Sequence, residues 1–260
     1  MAAPLRIVLK FGTGILTQTE APSLDPIQLR KLAEAVALLK QAGCQVVVVS
    51  SGAVAAGLHP LGLDQRPSDT VTLQACAAVG QTDLMHRYES LLREHGCHVA
   101  QLLLTHDDLE SPERAARVRS TLDRLLSFPT VVPIINENDS VAVEELRFGD
   151  NDKLSAKVAM LWQADRLVLL TSVPGLLDDA DQLIPEVPNV AAVLHHARQG
   201  DKGSLSVGGM SSKLQAVQAA VESGVECLIA SGRTPEQLPA LLLQNQGLGT
   251  RFPTATASRA

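Results

Sequence analysis

The sequence predicts an α/β protein: a three-layer sandwich in which helices cover both faces of an open, mainly parallel sheet. Strand-like and helix-like patterns alternate along nearly all of the 260-residue chain. The strand-like runs are continuously apolar, as in Val46–Val49, which is typical of parallel strands covered on both faces. The preference for right-handed crossovers then gives a doubly wound sheet. Because no stretch has the composition of a linker, we expect one domain over residues 1–260.

The strands are predicted from short apolar runs that are bounded by glycine, proline or polar turn residues. In chain order they are Leu5–Phe11, Gln45–Ser50, Val99–Leu104, Val131–Ile135, Asp165–Thr171, Val225–Ala230 and an edge strand within Gly247–Phe252. A hairpin is also predicted over Ala142–Phe148.

The helices are predicted from apolar spacing and from their end signals. Asp25-Pro26 is an N-cap followed by proline at the first helical position, and Gly43 ends that helix. Similar patterns predict helices over about Thr70–Glu94, over Pro112–Leu126, from about Leu154, and after Gly208-Gly209 as far as Gly224.

Composition excludes several classes of function. The net charge of −6 and the 2% of aromatic residues argue against a nucleic-acid partner, which would favour a basic face and stacking rings. No apolar run is long enough for a membrane span or a signal peptide, so we expect a cytoplasmic protein without a membrane partner. The four cysteines lack metal-binding spacing, and we interpret them as small core residues.

The stretch Val131–Lys157 is the strongest candidate for a functional site. A buried strand ends in the polar sequence Asn136–Asp139, and a second polar sequence, Asp150–Asp152, precedes a helix. Ligands of open α/β sheets bind at the carboxyl ends of the strands. Helix capping and turn formation also explain these residue types, but three polar residues at 150–152 exceed what one cap requires.

Three glycine-rich turns offer backbone amides to an anion: Gly12-Thr13-Gly14, Ser51-Gly52-Ala53 and Gly208–Lys213. Lys213 lies in a first helical turn, where the helix dipole disfavours a cation unless an anion is near. Lys10 lies at the end of an apolar strand. Its side chain either extends to solvent or points into the ligand crevice at the carboxyl ends of the strands. Each turn alone is also typical of an ordinary strand-to-helix connection.

Two histidine-containing sequences have no partners at metal or triad spacing. They are His106-Asp107-Asp108 and His195-His196. We interpret their side chains as solvated and expect no metal ligands from the protein.

Five motifs in order along the chain resemble the glutamate 5-kinases of the amino acid kinase superfamily. The motifs are VLKFGTG (Val8–Gly14), SSGAVAAG (Ser50–Gly57), INEND (Ile135–Asp139), FGDNDKLSA (Phe148–Ala156) and GGMSSK (Gly208–Lys213). This resemblance implies an eight-stranded sheet, with ATP over the C-terminal half of the chain and L-glutamate over the N-terminal half. It also implies that ATP phosphorylates the side-chain carboxylate of glutamate, which is the first step of proline biosynthesis.

The resemblance further implies a role for each matching residue. Lys10 and Lys213 would contact the transferring phosphates, and Asp152 would orient both lysines. The glutamate site would consist of Ser51, Asp139 and Asn151. The nucleotide would be bordered by Lys10, Thr171, Ser172, Val207, Gly208, Gly209, Met210, Ser211, Ser212 and Lys213. Mg²⁺ would be bound mainly through the ATP phosphates.

The chain departs from the family pattern at several positions. Ser172 stands where aspartate is common, Leu177 where tyrosine is usual, and Gly14 and Val207 where serine and threonine are frequent. We expect no C-terminal PUA domain within the 260 residues. The resemblance also implies a homodimer or homotetramer, feedback inhibition by proline, and hand-over of product to glutamyl-phosphate reductase.

Two alternatives stay open at the level of sequence. One is a kinase of the same superfamily for acetylglutamate or a nucleoside monophosphate, against which INEND and SGAVAAG argue. The other is a non-catalytic regulator that binds amino acids, which would tolerate the loss of Lys10, Asp152 or Lys213.

Overall fold

A computed structural model of the protein describes residues 3–18, 23–142, 151–196 and 209–254. Its centre is a seven-stranded sheet with the order β3-β4-β2-β1-β5-β6-β7. The strands are β1 (Arg6–Phe11), β2 (Gln45–Ser50), β3 (His98–Leu104), β4 (Val131–Glu137), β5 (Arg166–Thr171), β6 (Glu226–Ser231) and β7 (Thr250–Phe252). All neighbouring pairs are parallel except β6 with β7, which is antiparallel.

Helices connect the strands and cover both faces of the sheet. The α-helices are α1 (Thr13–Leu16), α2 (Pro26–Gln41), α3 (Ala53–Leu58), α4 (Thr70–Arg93), α5 (His106–Glu110), α6 (Pro112–Leu126), α7 (Asn151–Trp162), α8 (Met210–Glu222) and α9 (Leu238–Gln244). Short 3-10 helices span His59–Leu61, Val190–His196 and Pro235–Gln237. Within the described ranges, no helix has the length and apolarity that crossing a bilayer requires.

The fold class predicted from sequence is confirmed, and so are the main helix signals. The Asp25 side chain accepts hydrogen bonds from the backbone N–H groups of Ile27 and Gln28, so it caps α2. The described residues contain seven strands rather than the eight that the family resemblance implied. Most of the predicted hairpin over Ala142–Phe148 lies outside the described residues.

The boundary of β4 also differs from the prediction. We expected the strand to end at Ile135 and the polar residues to form a turn, but β4 continues to Glu137. Asn136 and Glu137 pair with Leu103 and Leu104 of β3, and their side chains are buried. Polar residues can stay in a buried strand when their side chains find hydrogen-bonding partners.

The two faces of the sheet form separate apolar cores. Ile7, Leu9 and Phe11 of β1 point to a core shared with α2, α4 and α9, whereas Val8 points to a core shared with α6, α7 and α8. This alternation explains why the strands read as continuous apolar runs. All four cysteines are buried and free, as the sequence predicted for core residues.

Helices α3 and α4 pack at a distance that only glycine permits. A Cβ at Gly80 would lie 1.9 Å from the carbonyl oxygen of Ala53 and 2.4 Å from the backbone nitrogen of Gly57. A Cβ at Gly57 would lie 1.9 Å from the carbonyl oxygen of Cys76. This packing fixes α3, which directly follows β2 and the Ser51-Gly52 turn of the candidate site.

We predict that Gly80→Ala lowers the free energy of unfolding by about 1–3 kcal/mol or more, because the new methyl group must displace backbone atoms. Intrinsic helix propensity alone would favour alanine by about 1 kcal/mol, so the packing term has the opposite sign. Urea unfolding measures the change. Ala78→Ser, on the exposed side of the same helix, is the control and should change stability by less than about 0.5 kcal/mol. A stabilised Gly80→Ala variant would contradict the packing described here.

Candidate active site

The candidate site lies at the carboxyl ends of the central parallel strands. Lys10 is near the end of β1, Ser51 directly follows β2, and Thr171 is the last residue of β5. The amino-terminal ends of α7 and α8 supply Asn151, Asp152 and Lys213. Asn151 and Asp152 contact Ser50 and Lys10 at these strand ends, and Lys213 contacts Asp152. A parallel sheet places ligands at this edge.

The centre of the site is a carboxylate held between two ammonium groups. The Nζ of Lys10 lies 2.5 Å from Oδ1 of Asp152, and the Nζ of Lys213 lies 3.1 Å from Oδ2. Lys10, Asp152 and Lys213 are 5%, 1% and 7% exposed. The hydroxyl of Ser212 also reaches Oδ2, at 3.5 Å. Residues that are far apart in the sequence thus form one buried ionic group, which we call the Lys–Asp–Lys group.

The electrostatics of the Lys–Asp–Lys group favour the ionised form of its carboxyl. Burial is the largest single influence and acts to raise the pKa of Asp152. The charges of Lys10 and Lys213, together with their hydrogen bonds, outweigh burial and hold the pKa of Asp152 below its ordinary value. The carboxylate therefore remains ionised at neutral pH and continues to position both lysines.

Local sequence explains how the two lysines reach the carboxylate. A Cβ at Gly12 would lie 3.3 Å from the Nζ of Lys10, so glycine at this position leaves room for the ammonium group. Helix α8 begins at Met210 after Gly209, which provides no side-chain cap. Its first turn contains Lys213 and no acidic residue, as the sequence predicted, and the partner of this cation comes from α7.

A group of hydrogen-bonded amides lies beside the Ser51 turn. The Nδ2 of Asn151 is 2.8 Å from the carbonyl oxygen of Ser50, 2.8 Å from Oγ of Ser51 and 2.9 Å from Oδ1 of Asn136. The Nδ2 of Asn136 in turn donates to Oε1 of Gln81, at 2.9 Å. Asn151 and Asp152 are consecutive, so the amide group and the Lys–Asp–Lys group adjoin.

Asp139 lies two residues beyond β4 and is half-buried. Burial lowers the pKa of Arg66, and the negative charge of Asp139 opposes that change. The carboxylate of Asp139 is therefore within electrostatic reach of the Arg66 guanidinium. A cation and an anion thus influence each other near the end of β4.

The residues expected to border the nucleotide have fewer described contacts with one another than the members of the Lys–Asp–Lys group have. Thr171 and Ser172 lie at the carboxyl end of β5, next to β1, but in the described ranges no side-chain hydrogen bond joins them to the Lys–Asp–Lys group. Gly209, Ser211 and Ser212 lie at the start of α8. The Met210 side chain packs in the core, so only its backbone could face a ligand. Val207 and Gly208 fall outside the described residues.

Two residues of the site were not identified from the sequence. Asn136 belongs to the INEND motif but was interpreted as part of a turn, whereas a polar residue inside a buried strand is itself a signal of hydrogen bonding. Gln81 gave no signal, because a glutamine within a long helix is ordinary. Its role follows only from the contact with Asn136.

The amino acid kinase family model ("Amino acid kinase family") matches residues 5–231. The glutamate 5-kinase of Shewanella amazonensis is 44% identical over 95% of this chain and 66% of its own length. The corresponding values are 44%, 95% and 67% for the glutamate 5-kinase of Geobacter sulfurreducens, and 45%, 94% and 65% for that of Chromohalobacter salexigens. The chain thus spans about two thirds of the length of these relatives. The family expected from the five motifs is confirmed.

Solved structures support the same fold. N-acetylglutamate synthase from Neisseria gonorrhoeae, complexed with coenzyme A and L-arginine, has a TM-score of 0.66 and 18% identity over 95% of this chain and 61% of that one. Giardia carbamate kinase has a TM-score of 0.64 and 16% identity over 97% of this chain and 100% of that one. At these identities the similarity concerns the fold alone.

We predict that Asp152→Asn lowers the free energy of unfolding at pH 7 by about 3–5 kcal/mol, because it removes the buried carboxylate that both ammonium groups contact. The folded-state pKa of Asp152 is below 3.8. The stabilisation is therefore complete above pH 3.8 and is lost as the pH falls through the lower folded-state pKa. Urea unfolding of both proteins as a function of pH measures this difference.

The control for this variant is Asp83→Asn, which breaks an exposed ion pair with Arg87 and should cost less than about 1 kcal/mol. Equal losses in the two variants, or a difference between wild type and Asp152→Asn that grows towards pH 3, would contradict the electrostatic account.

Proposed function

The chain belongs to the amino acid kinase family, and from this premise we propose that it transfers the γ-phosphate of ATP to the side-chain carboxylate of L-glutamate. The products are glutamyl 5-phosphate and ADP, and the reaction begins proline biosynthesis. The observation that carries the proposal is the convergence of Lys10 and Lys213 on Asp152, directly beside the hydrogen-bonded amide group of Asn151. The names of the similar curated proteins support the choice of substrate.

The chemistry requires no general base. The side-chain carboxyl of glutamate has an ordinary pKa of about 4.3 and is ionised at neutral pH. One of its oxygens forms a bond to the γ-phosphorus while the bond from that phosphorus to the β–γ bridging oxygen breaks. The electron pair of the broken bond leaves with ADP. The protein contributes positioning and charge stabilisation, which dominate catalysis of phosphoryl transfer.

Lys10 and Lys213 supply the positive charge for this transfer. Two ammonium groups held on opposite oxygens of one carboxylate are suited to contact different oxygens of a polyphosphate. Asp152 acts as a positioning residue, because it contacts the lysines rather than the reacting atoms. Its depressed pKa keeps this arrangement ionised across the neutral range.

Ser51, Asn151 and Asp139 bind glutamate in this proposal. Ser51 and Asn151 are already in contact with each other at the edge of the Lys–Asp–Lys group, and this contact supports a shared role in orienting the substrate. The carboxylate of Asp139 matches the α-ammonium group of an amino acid. The side chain of Asn136 accepts a hydrogen bond from the Asn151 amide and donates one to Gln81, so these two residues help to orient Asn151.

The nucleotide binds at the carboxyl end of β5 and the amino-terminal end of α8, along Thr171, Ser172 and Gly209–Lys213. Val207 and Gly208 are further candidates. A kinase of this family uses a divalent metal ion, and we propose Mg²⁺ bound to the ATP phosphates, where it neutralises phosphate charge. Both oxygens of Asp152 already contact lysines, so Mg²⁺ would take its oxygen ligands mainly from the phosphates and from water.

The remaining features of the proposal concern the setting of the reaction. We place it in the cytoplasm, with which four free cysteines are consistent. The proposal includes a homodimer or homotetramer, inhibition by proline at the glutamate site, and transfer of the labile acyl phosphate to glutamyl-phosphate reductase. Each follows from the family resemblance rather than from a contact in the structure.

We predict that Lys213→Ala lowers kcat by about 10²–10³, because one preorganised charge-stabilising group is lost. Glutamate-dependent release of ADP measures the rate, with aspartate, acetylglutamate and nucleoside monophosphates as alternative acceptors. Lys157→Ala is the matched control, since Lys157 forms a more exposed ion pair with Glu110 and should leave kcat unchanged. Near-normal turnover by Lys213→Ala would remove this lysine from the mechanism, and a preference for another acceptor would overturn the proposed substrate.

We predict that Asp139→Ala raises the KM for glutamate at least about tenfold while changing the KM for ATP much less. The reason is that this carboxylate pairs with the amino acid and not with the nucleotide. Initial rates with each substrate varied at saturation of the other measure both constants. Asp123→Ala, on the exposed surface of α6, serves as the control. Equal increases in both KM values would refute the assignment of Asp139.

A further inference from the structure

Three side chains outside the proposed active site lie close together and are of the types that bind metal ions. Asp179, His195 and His196 each offer one ligand atom, and these atoms all lie within 4.8 Å of one another. The sequence interpretation of the two histidines as solvated was incomplete, because it identified no partner for them. The fold supplies Asp179, whose Oδ1 lies 3.2 Å from Nδ1 of His196.

One separation between these ligand atoms matches that around a tetrahedral zinc ion. Zinc binds imidazole nitrogen and carboxylate oxygen at about 2.0–2.2 Å, which places neighbouring ligand atoms about 3.3–3.5 Å apart. The observed 3.2 Å between Asp179 and His196 is close to that separation. The ring centroids of His195 and His196 are 3.9 Å apart. Two imidazoles on one tetrahedral ion would have centroids roughly 5 Å apart, so the rings would separate when the ion binds. An ion at this point would replace the hydrogen bond between Asp179 and His196.

The two segments that carry the ligands have defined local structures. Oδ1 of Asp178 accepts hydrogen bonds from the backbone N–H groups of Ala180 and Gln182, which shapes the turn that contains Asp179. The histidines end the 3-10 helix Val190–His196, near whose start the Asn189 side chain accepts a hydrogen bond from the N–H of Ala191. The side chain of His196 is only 15% exposed. The side chain of Asp179 is 81% exposed, so the cluster lies at the protein surface.

We propose that Asp179, His195 and His196 bind a divalent transition-metal ion of the zinc class, distinct from the magnesium that accompanies ATP. Two imidazoles and one carboxylate favour such an ion over Mg²⁺, which prefers oxygen ligands and octahedral geometry. Three protein ligands leave a fourth position for water. The bound ion joins the turn that contains Asp179 to the end of the 3-10 helix and thereby stabilises the chain between these two segments.

Zinc titration of the full chain by isothermal calorimetry tests the proposal, after metal has been removed with a chelator. The wild type should bind one equivalent of Zn²⁺, whereas His195→Ala, His196→Ala and Asp179→Asn should each bind at least about tenfold more weakly. His98→Ala is the matched control, because the imidazole of His98 contacts a carboxylate, that of Glu89, without a second histidine. It should bind like the wild type. An excess of Mg²⁺ should not displace the zinc.

Binding of Co²⁺ in place of Zn²⁺ distinguishes metal binding at this site from metal binding by cysteines. Co²⁺ at the proposed site should give visible d–d absorption without a thiolate charge-transfer band, and the absorption should disappear in His196→Ala. Circular dichroism and glutamate-dependent ADP release in zinc-free buffer containing Mg²⁺ should be unchanged in the three variants, since none of these residues belongs to the proposed active site. Absence of zinc binding, unchanged affinity in all three variants, or a thiolate band in place of the d–d signal would overturn the proposal.

Discussion

The structure depends on one buried carboxylate that holds two buried ammonium groups at the carboxyl edge of the sheet. Removing an isolated charge from water is costly, and the cost is offset only when the charge is paired closely and hydrogen-bonded. Asp152 provides that pairing for Lys10 on β1 and for Lys213 on α8. Three elements from distant parts of the chain are therefore tied together by a contact whose loss would leave desolvated charge.

A buried ionic group of this kind is poorly explained by stability alone. Apolar residues of similar volume often stabilise a core as well as an ion pair does, or better. The proposed phosphoryl transfer would explain the group better, because a polyphosphate requires positive charge that is already in place before it binds. The amides of Asn136 and Asn151 place hydrogen-bonding groups next to this charge.

Local signals predicted much of the fold, and long-range contacts explain what they missed. Strand β2 and the start of α2 at Asp25-Pro26 are determined by residues that are close in sequence, so the sequence alone was sufficient to predict them. The orientation of the Lys10 side chain could not be predicted from the neighbouring sequence, because it depends on Asp152, which lies on helix α7.

The site shows the same division between local and long-range information. Asn136 was placed in a turn because its burial depends on Gln81 and on Asn151. The pairing of His196 with Asp179 likewise arises only when the excursion after β5 folds back. Motif resemblance suggested the proposed roles of Ser51 and Asp139, which no periodicity could have indicated.

The most direct test is a crystal structure of the chain with Mg²⁺, glutamate and a non-hydrolysable ATP analogue. The account predicts that the Nζ atoms of Lys10 and Lys213 both lie at hydrogen-bonding distance, about 2.7–3.2 Å, from phosphate oxygens while Asp152 stays between them. A nucleotide whose phosphates bind away from either lysine would contradict the account.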